Sequence, residues 1–248
     1  MNNLTNKRIL LGVSGSIAAY KSPDIVRRLQ DLGAEVRVII TSGGREFVSE
    51  LSLQTISKHK VHDNLWDKET ELAMGHIELA KWADAVIIAP ASANTIARLC
   101  HGKADDLLTT VILATNASVL IAPSMNQQMF ASKAIKENLK ILNNRGVVTI
   151  NPGFGEQACG DVGEGRLAEP TEIAKQVANI FLNSSLSGKK VLITIGGTLE
   201  AIDPVRYISN HSSGKMGMAL AHACIQAGAE TTLIIGSISV EVEKRAEA

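Results

Sequence analysis

The sequence predicts an α/β protein built on a doubly wound parallel sheet. Along the first 150 residues, short apolar segments alternate with amphipathic segments of helical period, which is the pattern of consecutive βα units. Residues 85–89 are apolar at every position, as expected of a parallel strand that is covered on both faces. Glycine or hydroxyl residues follow several of these segments. Because ligands bind outside the carboxyl ends of the strands in such sheets, we expect a site in these loops.

Composition narrows the class of protein. The chain has 248 residues, 45% of them hydrophobic, which allows one large domain or one domain and part of another. Lys+Arg and Asp+Glu both number 25, and this balance argues against a nucleic-acid or anionic-membrane partner. No apolar run is long enough to span a membrane, and the N-terminus does not resemble a signal peptide. Cys100, Cys159 and Cys224 are too widely spaced for a disulfide framework or a zinc cluster, so we expect a cytoplasmic protein.

The first βαβ unit begins with a strand at residues 8–13. A helix at residues 17–32 follows, in which Pro23 indicates a kink or a delayed start. Gly33 is placed to end this helix, and residues 35–41 form the second strand.

The turn after the first strand contains Gly12, Gly15 and Ser16 in the spacing G-x-x-G-S, which differs from the G-x-G-x-x-G of dinucleotide-binding proteins. A dinucleotide fingerprint also places an acidic residue at the end of the second strand, where this chain has Thr41 and Ser42. Hydroxyl groups at that position suit a phosphate contact better than a ribose diol. The turn therefore favours a mononucleotide over NAD.

A central stretch at residues 74–98 predicts a helix, a buried strand, a tight loop and a second helix. Pro90 is expected to end the strand, and Ser92, Asn94 and Thr95 to begin the second helix. Free backbone N–H groups and the helix dipole make such a helix start suitable for a phosphate. Plain helix capping is the alternative interpretation of these three residues.

His76 opens the first helix of the same stretch. A helix N-terminus disfavours the imidazolium form, so a neutral ring there would be available to accept a proton. The alternative is a histidine that only caps the helix or packs against it.

The remaining elements of the first domain are less distinctive. His59 and His62 are interpreted as loop histidines, because two histidines alone lack the further ligands of a metal site. Asp105 and Asp106 are interpreted as caps of a helix that ends at Ala114. The other predicted elements are a helix at residues 51–56, a strand at 118–122, a helix that ends near 143, a strand at 146–150 and a helix at 171–182.

Residues 151–170 contain five glycines, two prolines and no hydrophobic period. Twenty residues of this kind inside a compact domain predict either a functional lid or a disordered loop. Cys159 lies at the centre. An ordinary thiol there is mostly protonated near neutral pH and can donate a proton, and the alternative is an incidental exposed thiol.

A second βαβ-like unit follows a linker at residues 183–189. It consists of a strand at 190–195, a turn at 196–198, a helix at 214–227 and a strand at 231–235. We therefore predict two domains, at residues 1–182 and 190–248.

Several motifs together resemble a known family, the homo-oligomeric flavin-containing cysteine decarboxylases. They occur in the family's order over the first 180 or so residues: G-S-I-A-A-Y-K at 15–21, G-H-I at 75–77, A-P-A-S-A-N-T at 89–95, P-S-M-N-Q-Q-M-F at 123–130 and A-C-G at 158–160. Within the family, the chain resembles the decarboxylase half of the bifunctional phosphopantothenoylcysteine decarboxylase/phosphopantothenate–cysteine ligases of coenzyme A biosynthesis. Residues 190–217 resemble the opening of the ligase half.

The resemblance implies a role for each matching residue. His76 would serve the oxidative decarboxylation, Asn126 would bind the substrate carboxylate, and Cys159 would protonate the reduced intermediate. The residues implied to bind FMN are Gly15, Ser16, Ile17, Ser42, Ser92, Ala93, Asn94, Thr95, Ser124 and Met125.

The implied activity is the FMN-dependent conversion of 4′-phosphopantothenoylcysteine to 4′-phosphopantetheine. Oxidation of the thiol carbon would make the carboxylate β to an electron sink, and loss of CO2 would be followed by re-reduction. The resemblance also implies a three-layer flavodoxin-like fold and trimers that assemble into dodecamers. The rivals are a non-catalytic FMN-binding regulatory relative, which has no need of both His76 and Cys159, and a prenyl-transferring flavin enzyme, against which residues 123–130 argue.

The ligase-like part is the main departure from the bifunctional pattern. Asn210 matches an active-site asparagine of the ligase domain, but about sixty residues make a marginal core and lack most of a CTP pocket. We therefore expect no competent ligase in these 248 residues. CTP and Mg²⁺ are expected as cofactors only if the ligase half is complete. CTP-dependent joining of phosphopantothenate and cysteine by the purified chain would contradict this expectation.

Overall fold

The computed structural model describes residues 4–66, 75–182 and 186–236. The chain forms two compact units that divide between Phe181 and Leu182. Among the described residues, no helix has both the length and the apolar character needed to cross a bilayer.

The first unit contains a five-stranded parallel sheet in the order β2-β1-β3-β4-β5. Its strands are β1 (Arg8–Val13), β2 (Glu35–Ile40), β3 (Ala85–Ala91), β4 (Ser118–Pro123) and β5 (Val148–Thr149). This is the strand order of flavodoxin-like folds, whose topological switch point lies between β1 and β3. The predicted fold class is confirmed.

Helices cover both faces of the sheet. They are a 3-10 helix at Ile17–Lys21 and α1 (Ser22–Asp31), α2 (Ser42–Arg45), α3 (Glu50–Ser57), α4 (Gly75–Trp82), α5 (Ala93–Cys100), α6 (Leu107–Ala114), α7 (Gln127–Ala131), α8 (Lys133–Asn144) and α9 (Pro170–Asn179). Alternate residues of one strand enter opposite cores: Ile9 and Leu11 lie in one cluster, and Leu10 lies in the other. The apolar runs of the sequence are thus explained by burial on both faces.

Arg8 and Asp84 join the first residue of β1 to the residue before β3. The guanidinium donates to both carboxylate oxygens, and the Arg8 backbone N–H donates to Asp84 Oδ2 at 2.9 Å. The hydrogen bond from the Arg8 side chain is the main reason that the pKa of Asp84 lies below its usual value. This pair fixes the two strands that flank the switch point.

The helix predicted at residues 17–32 is divided in two. A 3-10 helix capped by Ser16 comes first, and α1 starts at Ser22 with Pro23 in its first turn. Proline is tolerated there because the first N–H groups of a helix have no intrahelical acceptor. The delayed start that Pro23 indicates is confirmed, and Gly33 adopts a positive φ of 93° after the helix.

Two predictions about glycine and proline are wrong. Pro90 does not end β3, which continues to Ala91 with a register shift between Ile88 and Ala91. A proline lacks the N–H of a regular ladder and is accommodated at such an irregularity. Gly12 is not part of the turn but lies within β1, where a Cβ would come 2.6 Å from Leu108 Cδ1.

The polar connection after α3 is also more ordered than predicted. His62 forms a parallel bridge beside β2, since its backbone N–H donates to Val38 and its carbonyl accepts from Ile40, both at 2.9 Å. His62 is half-buried, and so is His59, which lies 3.5 Å from Glu35 Oε1. The interpretation as a loop histidine is therefore wrong for His62, whereas His59 does lie in the loop after α3.

The largest correction concerns residues 151–170. They contain an antiparallel hairpin of β6 (Gly153–Glu156) and β7 (Val162–Arg166), which we call the flap. The sequence shows no hydrophobic alternation there because glycines occupy the less exposed alternate positions of both strands. Gly155 and Gly165 have φ values of 150° and 131°, which other residues rarely adopt.

The second unit contains a two-stranded parallel sheet and one long helix. Its elements are β8 (Lys190–Ile195), β9 (Leu199–Ala201), β10 (Tyr207–Ser209), α10 (Lys215–Gln226) and β11 (Glu230–Ile235). The strands β8 and β11 pair in parallel, as the βαβ prediction requires, and the hairpin β9–β10 was not predicted.

Candidate functional site

Ser14 joins the loops that follow β1 and β3. Its hydroxyl donates to the Pro90 carbonyl at 2.8 Å and accepts the Ser92 N–H at 2.9 Å. The side chain is 1% exposed, so these contacts take place away from water and hold the two loops together. The sequence assigned no role to Ser14, because a buried serine that bridges two loops cannot be distinguished by sequence from an exposed serine in a turn.

Three hydroxyl groups gather at the carboxyl ends of β1, β3 and β4. Ser16 and Ser124 lie with their Oγ atoms 3.0 Å apart, and the Ser124 N–H donates to the Ala91 carbonyl at 3.1 Å. Ser92 is the N-cap of α5. The convergence of these loops, which the parallel sheet predicts, is thus observed.

At the start of α5, a side chain caps one backbone N–H group, and two further N–H groups have no partner within the helix. Ser92 Oγ accepts the Thr95 N–H at 3.3 Å and lies 3.1 Å from Thr95 Oγ1, so these two side chains cap the helix. The first intrahelical bond runs from Ile96 N–H to the Ser92 carbonyl. The N–H groups of Ala93 and Asn94 therefore lack intrahelical acceptors and remain available to an anion.

A cavity of about 660 Å³ opens beside these loops. Its volume lies within the range of roughly 300–1,000 Å³ that is usual for small-molecule sites. The predicted residues that line it are Gly15, Ser16, Ile17, Ser92, Ala93, Ser124, Met125, Asn126 and Cys159. Residues of the loops after β1, β3 and β4 thus share one cavity with the flap.

Four predicted residues do not line this cavity. Thr95 is buried beneath the start of α5, and Asn94 is exposed on that helix. Ser42 begins α2. The next residue, Gly43, packs closely on the turn after β1, since a Cβ on Gly15 would come 3.2 Å from Gly43 Cα. His76 is half-buried as the second residue of α4. Within one chain, the structure does not bring His76 to the cavity wall.

The cavity is more charged than the sequence indicated. Lys21 and Arg166 line it, together with Glu156. The Lys21 ammonium pairs with Glu169 Oε1 at 3.1 Å. These residues come from the end of the 3-10 helix and from the flap, and no local pattern connects segments so distant in sequence.

Asn126 and Cys159 meet where the flap approaches the loop after β4. Asn126 Nδ2 lies 3.3 Å from Cys159 Sγ and 2.8 Å from Asp161 Oδ2, and the thiol lies 3.5 Å from the same Asp161 oxygen. Asn126 Oδ1 accepts the Gln128 N–H at 2.8 Å, which caps α7 and fixes the amide orientation. The structure therefore brings together two residues that are 33 positions apart.

Gln157 fastens the flap to the same loop. Its Oε1 accepts the Gln127 N–H at 2.9 Å, and its Nε2 donates to the carbonyls of Met125 and Glu164. A Cβ on Gly165 would collide with the Met125 carbonyl oxygen. The glycines of β7 therefore allow the flap to lie directly against the loop that carries Asn126.

In chemical terms, the cavity combines groups that suit an anion with polar reactive side chains. Hydroxyls and the α5 terminus suit a phosphate, and the exposed side chains of Ile17, Tyr20 and Met129 offer apolar surface to a ring. The thiol of Cys159 and the amide of Asn126 line the same cavity. Among the described residues, no group of three or more His, Cys, Asp or Glu side chains could hold a metal ion.

Asn210 lies in the second unit. Its Oδ1 accepts the Thr198 N–H at 3.1 Å and so closes the turn after β8. This contact gives the asparagine a structural function within the part of the chain that the structure describes.

The fold and the cavity define a flavodoxin-like α/β protein with a mononucleotide-sized site at the switch point. Comparison with known proteins narrows this class. Residues 1–182 match the family model "Flavoprotein", and residues 186–248 match "DNA/pantothenate metabolism flavoprotein C-terminal domain". The chain therefore belongs to the flavoprotein family, and the resemblance that the motifs indicated is confirmed.

Individual relatives agree with the family match. The Vibrio cholerae "Coenzyme A biosynthesis bifunctional protein CoaBC" is 55% identical over 238 residues, which are 96% of this chain and 60% of the relative. The chain thus spans about 60% of the length of the curated relatives that it matches. A PPC decarboxylase mutant complexed with pantothenoylaminoethenethiol has a TM-score of 0.64 and 34% identity, over 70% of this chain and 97% of that one. "The FMN binding protein AtHal3" has a TM-score of 0.62 and 34% identity, over 71% and 96%.

Proposed function

We propose that the chain binds FMN and decarboxylates 4′-phosphopantothenoylcysteine to 4′-phosphopantetheine in coenzyme A biosynthesis. The observation that carries the proposal is the contact between Asn126 and Cys159 in a cavity that the serine hydroxyls and the start of α5 also line. Similarity to a PPC decarboxylase and to an FMN-binding protein supports the same assignment. The expectation about ligase activity stays a prediction.

FMN would be held by the loops that converge at the switch point. Its phosphate would accept hydrogen bonds from Ser16, Ser92, Ser124 and the N–H groups at the start of α5. Bound flavin would supply a reversible two-electron oxidation of the substrate's thiol carbon. The residues of the chain would provide the binding, the orientation and the protons.

Asn126 would orient the substrate. Both of its amide hydrogens point towards acceptors near the flap, namely a sulfur and a carboxylate. A substrate carboxylate is an acceptor of the same kind as Asp161, so it would take the place of one of these partners. Cys159 would then donate its proton to the carbon that loses CO2, since its thiol faces the same space.

We further propose that a second copy of the chain completes the site. Ile17 and Tyr20 line the cavity and are 56% and 62% exposed, which is unusual for large apolar side chains beside a polar site. His76 is outside the cavity of its own chain. A homo-oligomer, which the resemblance describes as trimers in a dodecamer, would cover this surface and supply the histidine of a neighbour. The proposed setting is the cytoplasm, without a nucleic-acid or membrane partner.

A direct assay tests the function. Purified protein should be yellow, and with phosphopantothenoylcysteine it should release one CO2 for each 4′-phosphopantetheine that forms. Protein that stays colourless after incubation with FMN would contradict the cofactor assignment. A yellow protein without CO2 release would favour the rival assignment, a non-catalytic FMN-binding relative.

A bulky residue at position 15 should abolish flavin binding. In Gly15→Val, the new side chain would meet the Gly43 backbone, which already lies 3.2 Å from the position of a Cβ, and would displace the turn beside Ser16. We expect the purified variant to lose most of its flavin absorbance while it keeps its folded circular dichroism. The matched control is Gly153→Val, where a Cβ has no neighbour within 3.7 Å and flavin should be retained; the closest atom, Arg166 Cβ, lies at 3.8 Å. Equal flavin content in both variants would contradict the proposed FMN site beside Gly15.

A further inference from the structure

Two cations line the cavity of the first unit, and the described carboxylates neutralise only one of them. The Lys21 ammonium pairs with Glu169 Oε1 at 3.1 Å. Arg166 forms no ion pair or side-chain hydrogen bond with any residue that the structure describes. Its side chain is exposed, so the N–H donors of its guanidinium are open to a ligand that enters the cavity.

The flap determines where this guanidinium lies. Arg166 pairs with Gly153 across the two strands, and a Cβ on Gly155 would come 2.9 Å from Arg166 Nη1. The side chain therefore extends along β6 towards the turn of the flap, over a glycine that leaves room for it. Glu156 follows that glycine and also lines the cavity, but it forms no ion pair with the guanidinium.

The proposed substrate has an anionic group at each end. Its carboxylate is assigned to the neutral amide of Asn126, and the phosphate of FMN to serine hydroxyls and the start of α5. The phosphate of the substrate has no partner in this assignment. A guanidinium suits it well, because the planar fork of N–H groups donates two parallel hydrogen bonds to phosphate oxygens.

The substrate is long enough to reach both Cys159 and the guanidinium. Cys159 lies in the turn of the flap, and strands rise about 3.3 Å per residue, so the Gly153–Arg166 pair lies roughly 13 Å from that turn. Roughly twelve bonds separate the thiol carbon of the substrate from its phosphorus, and an extended chain covers about 3.3 Å in three bonds, or about 13 Å in all. With its thiol end at Cys159, the substrate therefore spans the length of β6, including Gly155.

We propose that Arg166 binds the phosphate of the substrate and so selects the phosphorylated compound over its dephosphorylated counterpart. The inference rests on the proposed decarboxylase function. FMN also carries a phosphate monoester and would enter the same cavity. Flavin content therefore has to be measured beside substrate preference, so that the two sources of phosphate are distinguished.

The test compares Arg166→Gln with Arg27→Gln, which removes the same charge from an exposed position of α1 outside the cavity. CO2 release by FMN-loaded protein is measured with 4′-phosphopantothenoylcysteine and with pantothenoylcysteine. For Arg166→Gln we expect kcat/KM with the phosphorylated substrate to fall roughly 10- to 100-fold, mainly through KM, because hydrogen bonds to charged groups contribute this much. With pantothenoylcysteine, kcat/KM should change less than about twofold, and Arg27→Gln should match wild type with both substrates.

A conservative variant separates charge from geometry. Arg166→Lys keeps the positive charge but lacks the planar fork, so it should retain part of the preference for the phosphorylated substrate.

A binding measurement does not depend on turnover. Calorimetry gives the Kd of 4′-phosphopantetheine and of pantetheine for the FMN-loaded protein. Wild type and Arg27→Gln should bind the phosphorylated compound at least about tenfold more tightly than pantetheine, and Arg166→Gln should bind the two with similar affinity. The flavin absorbance of Arg166→Gln should equal that of wild type.

The inference would be overturned if Arg166→Gln kept the wild-type preference, if it lost activity equally with both substrates, or if wild type had no preference. Loss of flavin from Arg166→Gln would also overturn it, because the guanidinium would then hold the phosphate of FMN. Failure of the proposed function gives a different result. If wild-type protein releases no CO2, the decarboxylase assignment fails, and the two dissociation constants still decide whether Arg166 binds the phosphate of such a ligand.

Discussion

Cys159→Ser should release CO2 but form almost no 4′-phosphopantetheine. A serine hydroxyl has nearly the same size and can still accept from Asn126 Nδ2, so the flap should keep its position. A hydroxyl is a far weaker acid than a thiol, and the loss of a general acid costs roughly 10²–10⁴-fold in rate. We therefore expect the oxidised, decarboxylated compound to accumulate, as detected by mass spectrometry of the reaction mixture.

The control for this variant is Cys224→Ser. Cys224 lies in the second unit and packs against its apolar cluster, so the same change should leave product formation unaffected. Normal yield of 4′-phosphopantetheine from Cys159→Ser would refute the proton-donor role. Loss of both CO2 and product would instead indicate that the cysteine acts before the loss of CO2.

Asn126→Asp should abolish turnover while FMN stays bound. The substitution keeps the side-chain shape and the oxygen that accepts the Gln128 N–H, so the start of α7 should persist. It replaces both N–H donors with an oxygen anion about 2.8 Å from Asp161 and in the space assigned to the substrate carboxylate. Like charges at this distance repel, and the substrate loses its donor at the same time. We expect kcat/KM to fall by roughly 10²-fold or more, since lost positioning and lost charge stabilisation are each effects of this size.

Flavin content separates this effect from a loss of fold. The proposed FMN phosphate site at Ser16, Ser92 and the start of α5 does not include Asn126, so the flavin absorbance of the variant should equal that of wild type. Asn144→Asp, at the exposed end of α8, is the matched control and should keep full activity. Full activity of Asn126→Asp would show that the substrate carboxylate is bound elsewhere.

The sheet of the first unit was predictable because its signal is local. Each parallel strand is buried on both faces and reads as an apolar run, and each helix carries its own period and caps. The strand boundaries of β1 and β8 match the predictions residue for residue. Asp106 caps α6 as predicted, within a capping box that Thr109 completes three positions later. Asp105, also predicted as a cap, instead pairs with Arg98.

The flap was not predictable for the opposite reason. Its strands contain four glycines and follow no hydrophobic alternation, so neither period nor propensity identifies them. The hairpin lies against the loop after β4 because Gln157 bonds to that loop. Gly163 and Gly165 also leave room there for the Gln127 side chain and the Met125 carbonyl. These contacts join residues about 30 to 40 positions apart. They can stabilise the hairpin only after the sheet has positioned the loop that follows β4.

The sequence by itself determined the parallel α/β class, the end of the sheet at which the cavity opens and, through its motifs, the family. Only the tertiary structure decided which of the predicted residues share one cavity. It brought Asn126 and Cys159 together, added Lys21 and Asp161, and placed His76 away from the cavity of its own chain. The physical reason is that helix and strand signals arise from neighbours along the chain. A site is instead formed by loops that only the register of β1, β3 and β4 brings into contact.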